Sequence, residues 1–209
     1  MSPTFHAIRN AESKDDGEEL QRIFESITTE QLNERVDIDP GSILLQRIIH
    51  TFDRPRKYSH LVIGLFDSPN VDTSRLYINH QHDVHGRTAL MLAAYRGNLE
   101  VVKKLMSLGA DMQITTADDR TAFAYACWMG KIEVVKLFLP FVELREYTLR
   151  AINQKTIIEM VETNVAPLGT PYLDLMKLLA ESHEEKLAEV CSRTGQRIWT
   201  KSSKAWNTS

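Results

Sequence analysis

The amino-acid sequence predicts an all-α protein, a short stack of about three repeated helix pairs closed by helical caps at both ends. Three observations predict it. Residues 83–107, shifted by 33 positions onto 116–140, pair Arg87 with Arg120, Thr88 with Thr121, Ala89 with Ala122, Ala93 with Ala126 and Gly97 with Gly130. Glu100, Val101, Val102 and Lys103 then meet Glu133, Val134, Val135 and Lys136, making nine identities in 25 pairs, too many for coincidence. Second, the apolar residues outside this repeat recur at spacings of three and four, the period of one helix face. Third, 43% hydrophobic and 25% charged residues over 209 positions is an ordinary globular composition, which disfavours disordered, collagen-like and coiled-coil chains. At this size roughly 70% of the unfolded surface can be buried, so a core forms without disulfide or metal staples.

At the N-terminus, Leu20, Ile23, Phe24 and Ile27 lie at helical spacing, and residues 18–27 are expected to cover one end of the stack. Residues 42–50 are expected to form the first helix of an incomplete repeat. Leu61, Val62, Leu65 and Phe66, followed by Asn70-Val71-Asp72, read as its second helix and exit. The stretch from Asp72 to Asp83 spans eleven residues where that from Asp111 to Thr116 spans five, so this hairpin is extended and carries Arg75, Leu76, Tyr77 and His80.

Within each clear unit, Thr88 or Thr121 is placed to cap a short apolar helix, Gly97 or Gly130 to end it, and Glu100 or Glu133 to open a second. The second helix carries Val101, Val102, Leu105 and Met106, or Val134, Val135, Phe138 and Leu139, on one face. Neither pair can bury that face alone. The inward positions predict a core of Leu90, Ala93, Leu105, Phe123, Ala126, Val134 and Phe138, with Cys127, the counterpart of Ala94, as a core thiol.

At these residues the sequence resembles the ankyrin repeat family. The run Asp83-Val84-His85-Gly86-Arg87-Thr88-Ala89-Leu90-Met91-Leu92-Ala93-Ala94, continuing through Gly97-Asn98-Leu99-Glu100-Val101-Val102 to Gly109-Ala110-Asp111, is nearly a complete family repeat. Ala89 and Met91, and Ala122 and Ala124, stand where the family has Pro and His, so its Thr-to-His hydrogen bond is missing from both copies. The resemblance implies a solenoid of about three ankyrin-like repeats and a noncatalytic protein-recognition function through a concave surface of hairpin tips and first helices. Carried over residue by residue, the partner-contacting positions are Val84, His85, Arg87, Tyr95 and Arg96, then Ala117, Asp118, Arg120, Trp128 and Met129. Tyr95 and Trp128, one repeat apart, are expected to form a ladder with Arg96 and Met129 beside it.

After the repeats, residues 147–153 and 156–163 read as helices and Pro167-Leu168-Gly169 as a break. Thr170 suits an N-cap and Pro171 the first helical position of a stronger helix ending near Cys191, with Tyr172, Leu175, Met176, Leu179, His183, Leu187 and Val190 along one face. The organisation is therefore an N-terminal helical cap (1–36), a degenerate repeat with an extended hairpin (37–82), two repeats (83–140), a C-terminal helical extension (141–194) and a basic flexible tail (195–209). The extension is either further degenerate repeats or a separate helical cap.

The net charge of −3 offers no global attraction to nucleic acid or anionic membranes. In the tail, Arg193, Arg197, Lys201 and Lys204 interleaved with Trp199 and Trp206 could grip single strands, but four charges are few and nucleic acid is disfavoured. No apolar run approaches the ~18 residues of a membrane span. Neither a basic-then-apolar leader nor a cysteine framework is evident, so a cytoplasmic location is expected, with delivery into another cell left open. His80, His82 and His85 form the one dense histidine cluster. With no cysteine nearby to complete a four-ligand set, it is read as a solvated hairpin, and no metal or cofactor is expected. No phosphate loop, metalloprotease helix or nucleophile elbow is present, and an enzyme is not expected. The alternative is an enzyme whose C-terminal helical region is catalytic, with the repeats as substrate adaptor. The partner is an unidentified protein, and a monomer is favoured.

Overall fold

The two threonines that recur in the repeat each start a helix. In the computed structural model, which describes residues 3–35, 43–52, 58–81, 85–143, 156, 157, 159, 161 and 170–194, the Met91 N–H donates to Thr88 Oγ1 at 3.3 Å and the Ala124 N–H to Thr121 Oγ1 at 3.2 Å. These caps satisfy backbone donors that the first helical turn leaves unpaired. Where the family's histidine would stand, Met91 Sδ accepts a 3.4 Å hydrogen bond from the Thr88 N–H, a weaker acceptor in a similar place.

The described helices are α1 (Pro3–Ser13), α2 (Gly17–Ser26), α3 (Thr29–Leu32), α4 (Leu44–Phe52), α5 (Ser59–Phe66), α6 (Ala89–Arg96), α7 (Leu99–Ser107), α8 (Ala122–Trp128), α9 (Ile132–Phe138) and α10 (Thr170–Thr194). Short 3-10 turns occupy Thr73–Arg75 and Leu139–Phe141, and no strand occurs among the described residues. First helices stack in the order α4, α6, α8, and second helices in the order α2, α5, α7, α9. The expected all-α solenoid is thus present, with α1 and α2 pairing as an N-terminal cap. Arg47 of α4 lies over the Phe5 ring of α1, 5.5 Å from its centroid, and joins the cap to the first-helix layer.

The expected core is in place. Leu90, Ala93, Leu105, Phe123, Ala126, Val134 and Phe138 are buried, as is Cys127. Leu20, Phe24 and Ile27 of the cap join the same cluster. Gly97 ends α6 with φ +80°, a left-handed backbone that a side chain resists. Asn98 then caps α7 through a 3.2 Å bond from the Val101 N–H, and its amide donates to Ser59 Oγ of α5 at 2.9 Å.

Several boundaries differ from expectation. The helix expected over 42–50 is found at Leu44–Phe52. α2 stops at Ser26 because Ile27 turns extended, with ψ 135°, while its side chain stays buried. α10 begins at Thr170 itself rather than being capped by it, and runs to Thr194, past Cys191, since no helix breaker occurs before Gly195. Leu175 and Leu179 are buried and Met176 and His183 half-buried, whereas Leu173 is exposed. The side chains of Tyr172, Leu187 and Val190, the helix expected over 147–153 and the basic tail 195–209 lie outside the described residues. Of the segment 156–163, residues 157, 159 and 161 are helical, with Ile157 and Val161 buried.

Amide side chains tie the hairpins together. Buried Gln46 of α4 donates through Nε2 to the carbonyls of His80 (2.7 Å) and Arg87 (3.0 Å). Gln81 Nε2 bridges the carbonyls of Gly86 (2.9 Å) and Thr115 (2.7 Å), linking successive repeats. The extended hairpin is held by Asn33, whose Nδ2 donates to the Arg75 carbonyl at 2.9 Å and whose Oδ1 accepts from the Tyr77 N–H at 2.8 Å. Asn79 likewise receives the Asp111 N–H at 2.8 Å. These bonds fix the loop carbonyls that present the neighbouring side chains.

Candidate protein-binding face

The second hairpin is a closed turn. The Thr116 N–H donates to the Arg120 carbonyl and the Arg120 N–H to Thr116 Oγ1, both at 3.1 Å, while Asp119 takes a left-handed φ of +55°. Thr116 Oγ1 donates to Asp118 Oδ1 at 2.6 Å. This leaves Asp118 Oδ2 3.0 Å from Arg120 Nε, an ion pair without hydrogen-bond alignment, between side chains only 28% and 12% exposed. The Arg120 guanidinium in turn lies 4.5 Å from the Trp128 ring centroid, a cation–π contact strengthened by partial burial.

Trp128 belongs to a cluster of three rings at the ends of α6 and α8. Its centroid is 6.1 Å from Tyr95 and 6.0 Å from Tyr125, and Tyr95 and Tyr125 are themselves 6.1 Å apart, with the two Tyr95 pairs edge to face. Arg96 packs over Tyr95 at 5.4 Å. Tyr125 is buried while Tyr95 and Trp128 are half-buried, so the cluster is rooted in the core and open at its rim. Burial pushes the Tyr125 hydroxyl above its ordinary value of 10.0; the Asp118 charge adds to that, and Arg87, Arg120 and the Thr116 hydrogen bond oppose it.

Of the residues expected on the partner-contacting surface, Tyr95, Arg96, Asp118, Arg120 and Trp128 come together in this one network. The Arg87 charge also acts on the Tyr125 hydroxyl, against the upward push of burial. His85 and Ala117 are exposed at the hairpin tips, Met129 is half-buried at the end of α8, and Val84 lies outside the described residues. Tyr125 was not among the expected residues because its repeat counterpart is Leu92, an inward position. Its signal was the ring three residues before Trp128, on the same helix face. His82 also lies outside the described residues, and among those described no three His, Cys, Asp or Glu side chains gather as a metal site. No helix among them is long and apolar enough to cross a membrane.

Stacked helix pairs joined by protruding hairpins, with the polar and aromatic side chains gathered on hairpins and first-helix ends, define a helical-repeat solenoid. Residues 62–146 match a family model described as ankyrin repeats in three copies, and this part of the chain is an ankyrin repeat array. The match begins inside α5 and extends past Pro140, so it takes in the end of the degenerate repeat along with the two clear copies. Among curated proteins, the chain is 50% identical over 46 residues to the ankyrin repeat and SAM domain-containing protein 6 of Rattus norvegicus, covering 22% of this chain and 5% of that one. It is 40% identical over 57 residues to an ankyrin repeat protein of fowlpox virus (27% and 8%), and 39% identical over 57 residues to ankyrin repeat protein nuc-2 of Neurospora crassa (27% and 5%). The matched stretch is therefore under a tenth of each relative's length. Ankyrin repeats are generally protein–protein interaction modules, typically noncatalytic.

Proposed function

We propose that this chain is a noncatalytic module that holds a protein partner on the face built by the hairpins at His85–Arg87 and Ala117–Arg120 and by the helix ends at Tyr95–Arg96 and Trp128–Met129. The observation that carries the reading is the cluster of Tyr95, Tyr125 and Trp128, half-open at its rim and flanked by Arg96 and Arg120. Tyr, Trp and Arg dominate the energetics of protein interfaces because they combine large apolar area with directional polar groups, and a ring anchored in the core loses little freedom on binding. The finer assignment is an adaptor, inhibitor or delivered effector, cytoplasmic or carried into another cell, acting as a monomer and without a metal or cofactor.

The test is affinity capture of partners by the wild-type chain and by a Tyr95→Ala, Trp128→Ala double variant whose fold is checked by circular dichroism. Capture is expected to be lost in the folded double variant. Unchanged capture would sink the assignment of this face.

A further inference from the structure

The second helices of the stack share a register. Leu61, Val62, Leu65 and Phe66 of α5 align with Val101, Val102, Leu105 and Met106 of α7 and with Val134, Val135, Phe138 and Leu139 of α9, which makes Gly64, Lys104 and Leu137 equivalent. Two of the three cover something. Leu137 is half-buried against the core, and the Lys104 side chain, 25% exposed, reaches back from α7 so that its Nζ lies 2.6 Å from Asp67 Oδ1 at the end of α5. Gly64 has no side chain to do this. It is exposed, its φ is not left-handed, and a Cβ built there meets nothing within 4 Å among the described residues. Neither close packing nor backbone geometry therefore demands glycine in the middle of a helix that glycine weakens. What the missing side chain leaves open is a groove of about 480 Å³ between α2 and α5, floored by Phe24, Leu61 and Leu65.

One end of this groove is electronegative. Asn70 Nδ2 donates to the Glu25 carbonyl at 2.8 Å and holds the C-terminal ends of α2 and α5 together, where both helix dipoles present their negative poles. The Glu25 carboxylate lines the groove at the same end, oriented by a 2.9 Å hydrogen bond from Gln21 Nε2, a neutral donor that leaves its charge in place. An apolar trough that ends on a carboxylate and two helix C-termini is complementary to an alkyl stem carrying a cation, which is how Lys104 joins α7 to Asp67 one repeat further on. We propose that the α2–α5 groove is a second docking site, and that its occupant is a helix of a partner protein that lays leucine-like side chains over Gly64 and sets a Lys or Arg on Glu25. A helix suits the trough because α2 and α5 run alongside each other, tied at their starts by the Tyr58 hydroxyl on Asp15 and at their ends by Asn70. An apolar helix face packs into such a furrow by the same fit of ridge and groove that holds stacked helices. The groove belongs to the second-helix layer, whereas the face proposed above is built of hairpins and first-helix ends, so the two readings stand or fall separately.

The test titrates the full chain with three helix-forming peptides of about eighteen residues that share one leucine face and carry Lys, Gln or Glu beside it. Nuclear magnetic resonance follows the Gly64 amide and the methyl groups of Leu61 and Leu65. The Lys peptide is expected to shift these signals and to bind about tenfold or more tighter than the Glu peptide. Glu25→Gln should bring the Lys peptide close to the affinity of the Gln peptide, while Glu133→Gln, at an exposed carboxylate of α9, should change nothing. Gly64→Leu should fill the groove from within and abolish peptide binding. It should melt no lower than wild type, because it replaces a weak helix former in open space. Equal binding of Lys and Glu peptides, full binding by Gly64→Leu, or equal losses in Glu25→Gln and Glu133→Gln overturns the proposal. So does a lower melting temperature in Gly64→Leu, which would mean that the space is already filled. Hexylamine, an alkyl cation without a helix, is expected to shift the same signals only at far higher concentration. Binding as tight as the peptide's would make the groove a small-molecule site and overturn the partner helix. Signals of Leu61 and Leu65 that move with protein concentration alone would assign the groove to a second copy of the chain and overturn it as well.

Discussion

Tyr95 and Trp128, equivalent positions of successive repeats, meet edge to face with their ring centroids 6.1 Å apart. The repeat thus places the same kind of side chain on neighbouring α6 and α8 and lets the two touch across the stack. Such a pair contributes about 0.5 to 1.5 kcal/mol beyond the area it buries. A double-mutant cycle with Tyr95→Ala and Trp128→Ala in chemical denaturation should return a coupling in that range. Because Trp128 also carries Arg120 over its face, Trp128→Ala should lower stability more than Tyr95→Ala does. Strict additivity of the two would show that the rings make no energetic contact.

Leu105 is fully buried on α7, among the residues the repeat alignment assigned to the core. Removing three of its side-chain carbons leaves a cavity that a close-packed helix stack closes only in part, so Leu105→Ala should cost about 2 to 5 kcal/mol. Urea denaturation measures it. A loss typical of an exposed position, within about 0.5 kcal/mol, would contradict the packing.

The core and the caps were legible because a repeated sequence states its own register. Once Arg87 aligned with Arg120, the burial of Phe123 followed from Leu90 and that of Phe138 from Leu105. The N-terminal pair was half legible. Helix α2 shows Leu20, Phe24 and the neighbouring Ile27, whereas α1 buries only Phe5, Ile8 and Ala11, a stripe too sparse to stand out before its partner surface is known. That Tyr95, Arg96, Asp118, Arg120 and Trp128 lie close together was legible, and how they contact one another was not. Spacing put Asp118, Arg120 and Trp128 on one surface, yet that Asp118 pairs with Arg120 and that Arg120 lies over the Trp128 ring depends on side-chain directions. Tyr125 was hidden because it occupies a position whose other occupant is leucine. The amides of Gln46, Gln81 and Asn79 make long-range bonds to loop carbonyls, for which the local pattern carries no signal.

Gly97 joins two constraints that the repeat alone could not separate. Its backbone is left-handed, and a Cβ built there would fall 2.6 Å from Lys131 Cδ, with Cγ and Cε at 3.1 and 3.2 Å. The lysine stem can swing aside, but the backbone strain stays. Gly97→Ala should therefore destabilise the chain by about 1 to 2 kcal/mol. Adding Lys131→Ala should restore only the part due to the clash. Complete restoration would assign the whole effect to Lys131 and none to φ.

Tyr125 gives the stack a sensitivity to alkali. Its hydroxyl is held above 10.0 chiefly by burial, so in that range the unfolded chain has released a proton that the folded chain retains. Stability from this group is complete below the unfolded value and falls as pH rises through the folded one. Thermal melts of wild type and Tyr125→Phe should run parallel from pH 7 to about 9 and diverge above about 10, with the wild type falling faster. Parallel curves throughout would remove Tyr125 as the titrating group.

The C-terminal helix should act as a lid on the last repeat. Leu175 and Leu179 of α10 are buried and belong to the same cluster as Phe138, Val135 and Ala126, while Leu139 and Pro140 line an open pocket with Leu178, Glu181 and Ser182. A terminal repeat without a cover leaves the apolar face that its neighbour would have filled open to water. Leu175→Ala or Leu179→Ala should each cost about 2 to 5 kcal/mol, the toll of a buried leucine. Leu179→Asp should go further, because a carboxylate cannot stay charged in that site without partners and the helix must lift to hydrate it. The expected result is a chain whose apolar end binds a hydrophobic dye and which self-associates at concentrations where the wild type stays dispersed. Neither Tyr95 nor Trp128 lines the pocket beside α10, so the fluorescence of Trp128, isolated by Trp199→Phe and Trp206→Phe, should stay close to that of the parent. If Leu179→Asp remains dispersed and binds no dye, α10 is not the cover of the stack.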